Sequence, residues 1–256
     1  MIRNIIENKT HHLVKKYIEE NTSYQYSGVL GVGSYGVAYL LTERRTGKKF
    51  VLKRLKTKHL NSKKLCIRFQ KEIEILQKLH LKNIPSVTIT GKIKNIPYYI
   101  MEYMEGVTFE QAIFKIGNVY SLPESLHITK RLLQIVIQMH KKGIVHRDLR
   151  IPNILLHRGN LYIIDFGLAT YLNPNETLNQ IKNPKKCKSH CSDLYFIGHF
   201  LLFLLYSSYT PTESQERSWQ EELQLPTEVK NYIERLLLIK PPFSSAEEAL
   251  RSIPKI

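Results

Sequence analysis

Residues 146–153 read His146-Arg147-Asp148-Leu149-Arg150-Ile151-Pro152-Asn153, and twelve residues after that asparagine the chain reads Asp165-Phe166-Gly167. An Asp and an Asn thus stand five apart. Two short strand-like runs follow (154–157 and 161–164) around a His157–Asn160 turn, and then comes a second Asp close to a Gly. A carboxylate and a carboxamide on one loop can divide two jobs, the first facing a hydroxyl and the second a divalent cation. A further Asp, on a turn freed by Gly167, can bridge that cation to phosphates. These are two of the demands of phosphoryl transfer; the third is a device that holds the phosphates themselves.

A candidate for that device stands upstream. Leu30-Gly31-Val32-Gly33-Ser34-Tyr35-Gly36-Val37-Ala38 is a glycine loop between two strand-like runs, Tyr24–Gly31 and Gly36–Thr42. Glycines let backbone N–H groups approach phosphate closely. A lone G-x-G-x-x-G fits a Rossmann turn equally well, but a Rossmann loop opens a helix and here a strand follows. The next run, Lys48–Leu55, follows a Thr46-Gly47 turn and carries Val51-Leu52-Lys53. Taken alone, Lys53 is equally a solvated charge among basic neighbours.

With these pieces in order, the sequence resembles the protein kinase family. The family's set is a glycine loop, a lysine on the third strand, a helix Glu, H-R-D-L-x-x-x-N and D-F-G. Here these are Gly31–Ala38, Lys53, a helix Glu, His146–Asn153 and Asp165–Gly167, over roughly residues 22–255. The resemblance implies an α+β, two-lobed fold: a β-rich N-lobe (about 22–102) with one main helix, and a mostly helical C-lobe (about 103–256), preceded by a helical extension, 1–21. It implies ATP and Mg²⁺ as cofactors, with Mn²⁺ as a substitute, and protein substrates. Asp148 then orients the acceptor hydroxyl, Asn153 and Asp165 ligate the metal, Lys53 anchors phosphate, and Arg150, which stands where most Ser/Thr kinases carry Lys, can contact the γ-phosphate. The nucleotide is covered by Leu30, Gly31, Val32, Gly33, Ser34, Gly36, Val37 and Ala38. Met101 takes the gatekeeper position, the backbones of Glu102 and Met104 meet the adenine edge, and Val37, Tyr39, Leu155 and Ile164 sandwich or floor the base. Glu72 is expected to pair with Lys53. Its rival Glu74 lies about 200° further around the helix and should face solvent. His146 is expected to be structural, and Asp193 to anchor the loop's backbone.

The sequence also departs from the family. No A-P-E follows D-F-G, and Phe243, in Lys240-Pro241-Pro242-Phe243-Ser244-Ser245, stands where the Arg that pairs with its Glu would be. The two halves of that ion pair are missing together, as expected if one alone would be an uncompensated charge. From Asp165 to Asp193 is 28 residues, short for the family, so the peptide platform is reduced. This leaves a small-molecule kinase open beside the Ser/Thr protein kinase. A scaffold that binds without turnover is the third reading, and the retained Lys53, Asp148, Asn153 and Asp165 argue against it. Thr170, Thr177, Ser189 and Ser192 are available for autophosphorylation, and Arg147 could receive a phosphate. Cys187-x-x-His190-Cys191 lacks a second pair at zinc spacing nearby and reads as a surface loop.

Composition narrows the setting. The chain has 256 residues with 38 Lys+Arg against 22 Asp+Glu, a formal charge of +16, and residues 41–71 hold twelve of the basic side chains against the single acid Glu43. Such a field suits a polyanion, DNA among them, or an acidic regulator docking on the N-lobe; it is equally a solvated lysine face. Three cysteines are too few for a disulfide scaffold and suit a reducing cytoplasm. No apolar run reaches membrane-spanning length and no signal peptide is evident. Apolar spacing predicts helices over 2–20, 62–80, 108–116, 123–142, 193–206, 226–239 and 245–253, the last opened by a Ser245/Glu248 capping box, with further strands at 86–93 and 97–101. The first of these helices reads either as a terminal helix packed on the domain or as a partner-binding one.

Overall fold

The computed structural model describes residues 2–173, 176, 183–210 and 217–255, with side chains described from residue 7 onward. The chain divides into two compact units, residues 1–104 and 105–256.

The first unit is a five-stranded antiparallel sheet with a helix on each face. Its elements are α1 (Ile2–Asn21), β1 (Tyr24–Val32), β2 (Gly36–Glu43), β3 (Lys49–Leu55), α2 (Lys63–Leu79), β4 (Val87–Ile93) and β5 (Ile96–Glu102), and the sheet order is β1-β2-β3-β5-β4. Side chains alternate between faces along a strand, and directly paired residues share a face. Tyr39 pairs with Leu52 and Leu41 with Phe50, and with Val37, Tyr98 and Ile100 they form one buried cluster around Val14 and Ile18 of α1. The two α1 residues are four apart and lie on one helical face. The opposite sheet face carries Ala38 paired with Lys53, Val51 paired with Met101, and Tyr99, whose ring lies 5.5 Å from Phe69 of α2. The sheet is therefore closed on both sides.

The second unit is mostly helical: β6 (Val107–Thr108), α3 (Phe109–Gln111), a π-helical turn (Ala112–Ile116), α4 (Leu122–Lys141), β7 (Ile144–Val145), β8 (Ile154–His157), β9 (Asn160–Ile163), β10 (Thr170–Tyr171), α5 (His190–Tyr206), α6 (Trp219–Glu222), α7 (Thr227–Leu236) and α8 (Ala246–Arg251). The capping box of Ser121 and Glu124 starts α4. Buried on nearly every side, α5 is the core of this unit. A Cβ on Gly198 would lie 2.8 Å from Leu237 Cδ2 and 3.0 Å from Leu236 Cβ, so only glycine admits the α7 end so closely.

Three helix expectations needed correction. The run 226–239 stops at Leu236, because Leu238 turns left-handed (φ 62°) and the amides of Ile239 and Lys240 fold back onto the Glu234 carbonyl. The proline pair that follows cannot extend a helix. The run 108–116 is a three-residue helix continuing as the π turn. Ser245 does cap α8, but Glu248 does not reach back to it; its carboxylate accepts from Ser244 and from Arg235 instead.

Candidate functional site

Within the first unit, Lys53 is the centre. Its Nζ lies 2.6 Å from Glu72 Oε1, and the Tyr99 hydroxyl donates to the same oxygen at 3.0 Å. Glu72 is buried while Glu74 is exposed, as the helical geometry of α2 requires. The glycine loop Gly31–Ser34 is exposed, with Leu30 and Val32 also open to solvent. Gly33 donates to the Gly36 carbonyl at 3.0 Å. A Cβ on Gly36 would meet the Arg54 carbonyl at 2.7 Å, so this glycine is demanded by the approach of β3.

Val37 and Tyr39 need correction. Their side chains lie under α1, on the sheet face away from Lys53, and cannot line a base. Ala38 shares the Lys53 face through direct pairing. Val51, which sequence reasoning missed, lies on that face too, opposite Met101. The signal was available, because Val51 stands two residues before Lys53 on the same strand. The Glu102 amide donates to the Ser86 carbonyl at 3.0 Å, so an adenine edge would find that amide engaged. Met104 is the last residue of this unit. Of the twelve basic side chains in 41–71, Arg44, Lys48, Lys53 and Arg54 pair with Glu19, Glu102, Glu72 and Glu7, acids from outside the block. The field read from the sequence is weakened accordingly.

In the second unit, the loop after β7 holds Asp148. Arg150 grips its carboxylate with two hydrogen bonds, Nε to Oδ1 at 2.5 Å and Nη2 to Oδ2 at 3.1 Å. Asn153 Nδ2 donates to the Asp148 carbonyl and to Oδ2, both at 2.9 Å. Arg150's own hydrogen bonds to the Asp148 carboxylate hold its guanidinium above its ordinary pKa. The loop is fastened from below by Asp193 of α5. Its Oδ1 accepts from the Arg147 amide at 2.7 Å, and its Oδ2 accepts from the His146 amide at 3.0 Å and meets His140 Nε2 at 2.9 Å. Burial pushes the Asp193 carboxyl pKa up, but the hydrogen bond and charge of His140 and the loop amides outweigh it and hold the pKa below its usual value. His140 was not foreseen; it sits in the last turn of α4, and no spacing rule links it to residue 193. His146 is fully buried edge-on to Phe166, at 4.6 Å between centroids, and burial keeps its pKa low and the ring neutral.

Asp165 is exposed and left-handed (φ 60°), and its Oδ1 accepts from the Gly167 amide at 3.3 Å. The Ile164 amide donates to the Asn153 carbonyl at 2.9 Å, which ties the two loops together. Leu155 is buried on β8, opposite Tyr162 and Thr108.

The surroundings revise several expectations. Thr170, Ser189 and Ser192 are buried, so their hydroxyls are closed to a kinase; Thr177 lies outside the described residues. Arg147 donates to the carbonyls of Leu168 (3.5 Å) and Lys186 (2.9 Å). Phe243, where the family's Arg was expected, is buried; the Arg235 guanidinium stacks 3.8 Å from its ring centroid, and the Phe243 carbonyl accepts from His190 Nε2 at 3.1 Å. Aromatic packing and a backbone bond thus occupy the place of the ion pair. His190 is committed there, and Cys187 and Cys191 are both buried free thiols. No helix among the described residues is long and apolar enough to cross a membrane.

A sheet with a glycine loop and a Glu-paired lysine, followed by a helical unit whose loops carry Asp148, Asn153 and Asp165, is the fold and residue set of a phosphotransferase. Comparison with known proteins gives the family. A family profile described as "Protein kinase domain" matches residues 24–211. The chain is 35% identical, over 92% of its length and 91% of the relative's, to a "Probable serine/threonine-protein kinase YbdM" of Bacillus subtilis. It is 30% identical to "Serine/threonine-protein kinase PrkC" of the same organism, over 71% of this chain and 30% of that longer protein. Among solved structures, the Mycobacterium tuberculosis PknI kinase domain superposes with a TM-score of 0.67 at 21% identity, covering 90% of this chain and 94% of that one, a likeness of fold. The chain belongs to the protein kinase family.

Proposed function

We propose that this protein transfers the γ-phosphate of ATP to Ser or Thr hydroxyls of proteins, with Mg²⁺ as the metal. The observation that carries this reading is the state of Asp148: its carboxylate is oriented by Arg150 and Asn153 on a loop whose backbone Asp193 fastens. A scaffold without turnover has no need of that orientation. The Ser/Thr assignment is supported by the printed names of the two Bacillus subtilis relatives.

The donor set suits Mg²⁺. That cation takes few protein oxygens and completes its shell with phosphates and water. Asn153 spends its Nδ2 on Asp148, which turns its carbonyl oxygen to ligation, and the Asp165 carboxylate supplies the second oxygen donor. No cluster of three or more His, Cys, Asp or Glu suited to a metal exists among the described residues, so these residues offer no closed protein cage. Bound Mg²⁺ and ATP supply the phosphoryl group and neutralise its charge. The chain's own residues do the rest. Lys53, kept in place by Glu72, donates to phosphate oxygens, and the exposed amides of Gly31–Ser34 lie over the phosphates. Asp148 orients the acceptor hydroxyl and accepts its proton as the bond to phosphorus forms. Arg150 then steadies the carboxylate and meets the charge of the transferred group. Ala38, Val51 and Met101, on the Lys53 face of the sheet, offer the apolar surface for the base.

The test is labelled ATP with Mg²⁺ and a generic protein acceptor, wild type beside Asp148→Asn, with the labelled amino acids identified. Label on Ser or Thr, reduced about 10²–10⁴-fold in the variant, is expected for loss of a general base. ATP binding with no label on protein would sink the reading.

A further inference from the structure

Neighbouring residues of β3 have opposite fates. Lys53 faces α2; Arg54, fully buried, faces α1. Arg54 donates from Nη2 to Glu7 Oε2 at 2.8 Å, from Nε to the Tyr39 hydroxyl oxygen at 2.8 Å and from Nη1 to the Leu55 carbonyl at 3.2 Å. The Tyr39 hydroxyl, which accepts from Arg54, lies 2.8 Å from His11 Nδ1 and can donate its own proton there. A neutral His11 with its proton on Nε2 accepts that proton; an imidazolium would instead donate to the Tyr39 oxygen and set a second cation beside Arg54.

Two routes lead from this network to the glycine loop. Arg54's carbonyl is the atom against which Gly36 packs, and Val37 pairs directly with Arg54. On the second route, the other Glu7 oxygen accepts from Thr57 Oγ1 at 2.9 Å. Beside Thr57, the Lys56 amide donates to the Tyr35 carbonyl at 2.9 Å, and His59 Nε2 donates to the Ser34 carbonyl at 3.1 Å. One carboxylate of α1 thus holds both segments to which the loop's tip and base are tied.

We propose that Glu7, Arg54, Tyr39 and His11 are positioning residues for nucleotide phosphate binding, with α1 setting the placement of the Gly31–Gly36 loop and of Lys53 only while His11 is neutral. The proposal rests on the reading of that loop and Lys53 as the ATP-phosphate site. The groups acting on His11 are Glu7 and His12 of its own helix, Arg54 of β3 and Tyr39 of β2; Tyr26 of β1 packs on the Tyr39 ring, and Lys15 lies over the Tyr26 ring. Burial first, and the Arg54 charge second, lower the His11 pKa, while Glu7 opposes them. The bond from Tyr39 to His11 accordingly runs in that direction near neutral pH and reverses as pH falls through that lowered value.

The experiment measures KM for ATP and kcat on the full chain for wild type, Glu7→Gln, His11→Gln and Lys53→Met, with melting curves to establish folding. Glu7→Gln is expected to raise KM about tenfold with kcat changed far less, as for a lost binding interaction. Between pH 7.5 and 5.5 the wild-type KM should rise more steeply than that of His11→Gln, whose carboxamide oxygen accepts from Tyr39 and does not titrate; titration of the nucleotide affects both alike. A folded Glu7→Gln with unchanged KM, or identical pH profiles, overturns the proposal. If Glu7→Gln does not fold, the His11→Gln profile decides alone, flattening in support and coincidence with wild type against. Lys53→Met with wild-type KM would overturn the phosphate-site reading and the proposal with it. A defective Lys53→Met beside an unaffected Glu7→Gln overturns the proposal alone.

Discussion

Asp193 and Arg54 are both completely buried charges, and each lies beneath a segment of the proposed site. They are satisfied from different places. Asp193 takes its hydrogen bonds from the His146 and Arg147 amides, the very loop it positions, and from His140, all inside the stretch that matches the kinase profile. Arg54 is satisfied by Tyr39 on the neighbouring strand and by Glu7 on α1, a helix that precedes the matched stretch. The loop of Asp148 therefore carries its own support, whereas the strand of Lys53, proposed above to hold phosphate, takes part of its support from α1. A buried charge is tolerable only with its partners in place, so the second arrangement makes α1 an obligatory part of the unit.

The largest expected effect tests the self-supporting half. Asp193→Ala strips two loop amides and His140 of their acceptor and should cost about 3–5 kcal/mol in denaturant unfolding, with phosphotransfer lost as the loop loses its anchor. Acid should act on the same group. The folded Asp193 pKa is depressed, so its contribution is complete above the unfolded carboxyl value and is lost as pH falls through the folded one. A wild-type stability that stays flat from pH 6 down into the range below about 4 would contradict this.

The borrowed half should show an asymmetry. Glu7→Ala leaves Arg54 buried without its counter-charge and should destabilise by about 3 kcal/mol, whereas Arg54→Met, of similar shape and uncharged, should cost about 1 kcal/mol or less. Equal losses in the two variants, read from urea melts, would mean that the pair's value lies in packing alone. Smallest of all is Glu74→Gln on the exposed side of α2, expected within about 0.5 kcal/mol and without effect on KM.

Much of the site was legible because the family's chemistry is written in short spacings. Asp148 and Asn153 sit on one loop, and Glu72 rather than Glu74 meets Lys53 because a helix turns about 100° per residue. The misreadings have physical causes. Val37 was assigned to the base through its neighbours in the glycine motif, but alternation along β2 gives Ala38 to the Lys53 face and Val37 to α1. The hydroxyls of Thr170, Ser189 and Ser192 read as available because burial is not a local property.

By itself the sequence determined the order of elements and the kinase family, and it singled out the residues of the proposed site, since these depend on periodicity and on spacings of a few residues. Only the tertiary structure decided that α1 closes the second sheet face, that His140 completes the Asp193 anchor across 53 residues, and that Phe243 packed beneath Arg235 fills the place of a missing ion pair. The first two are contacts between segments distant along the chain and the third folds the chain back just past α7; what fixes each is the need to cover apolar surface and to give every buried charge a partner.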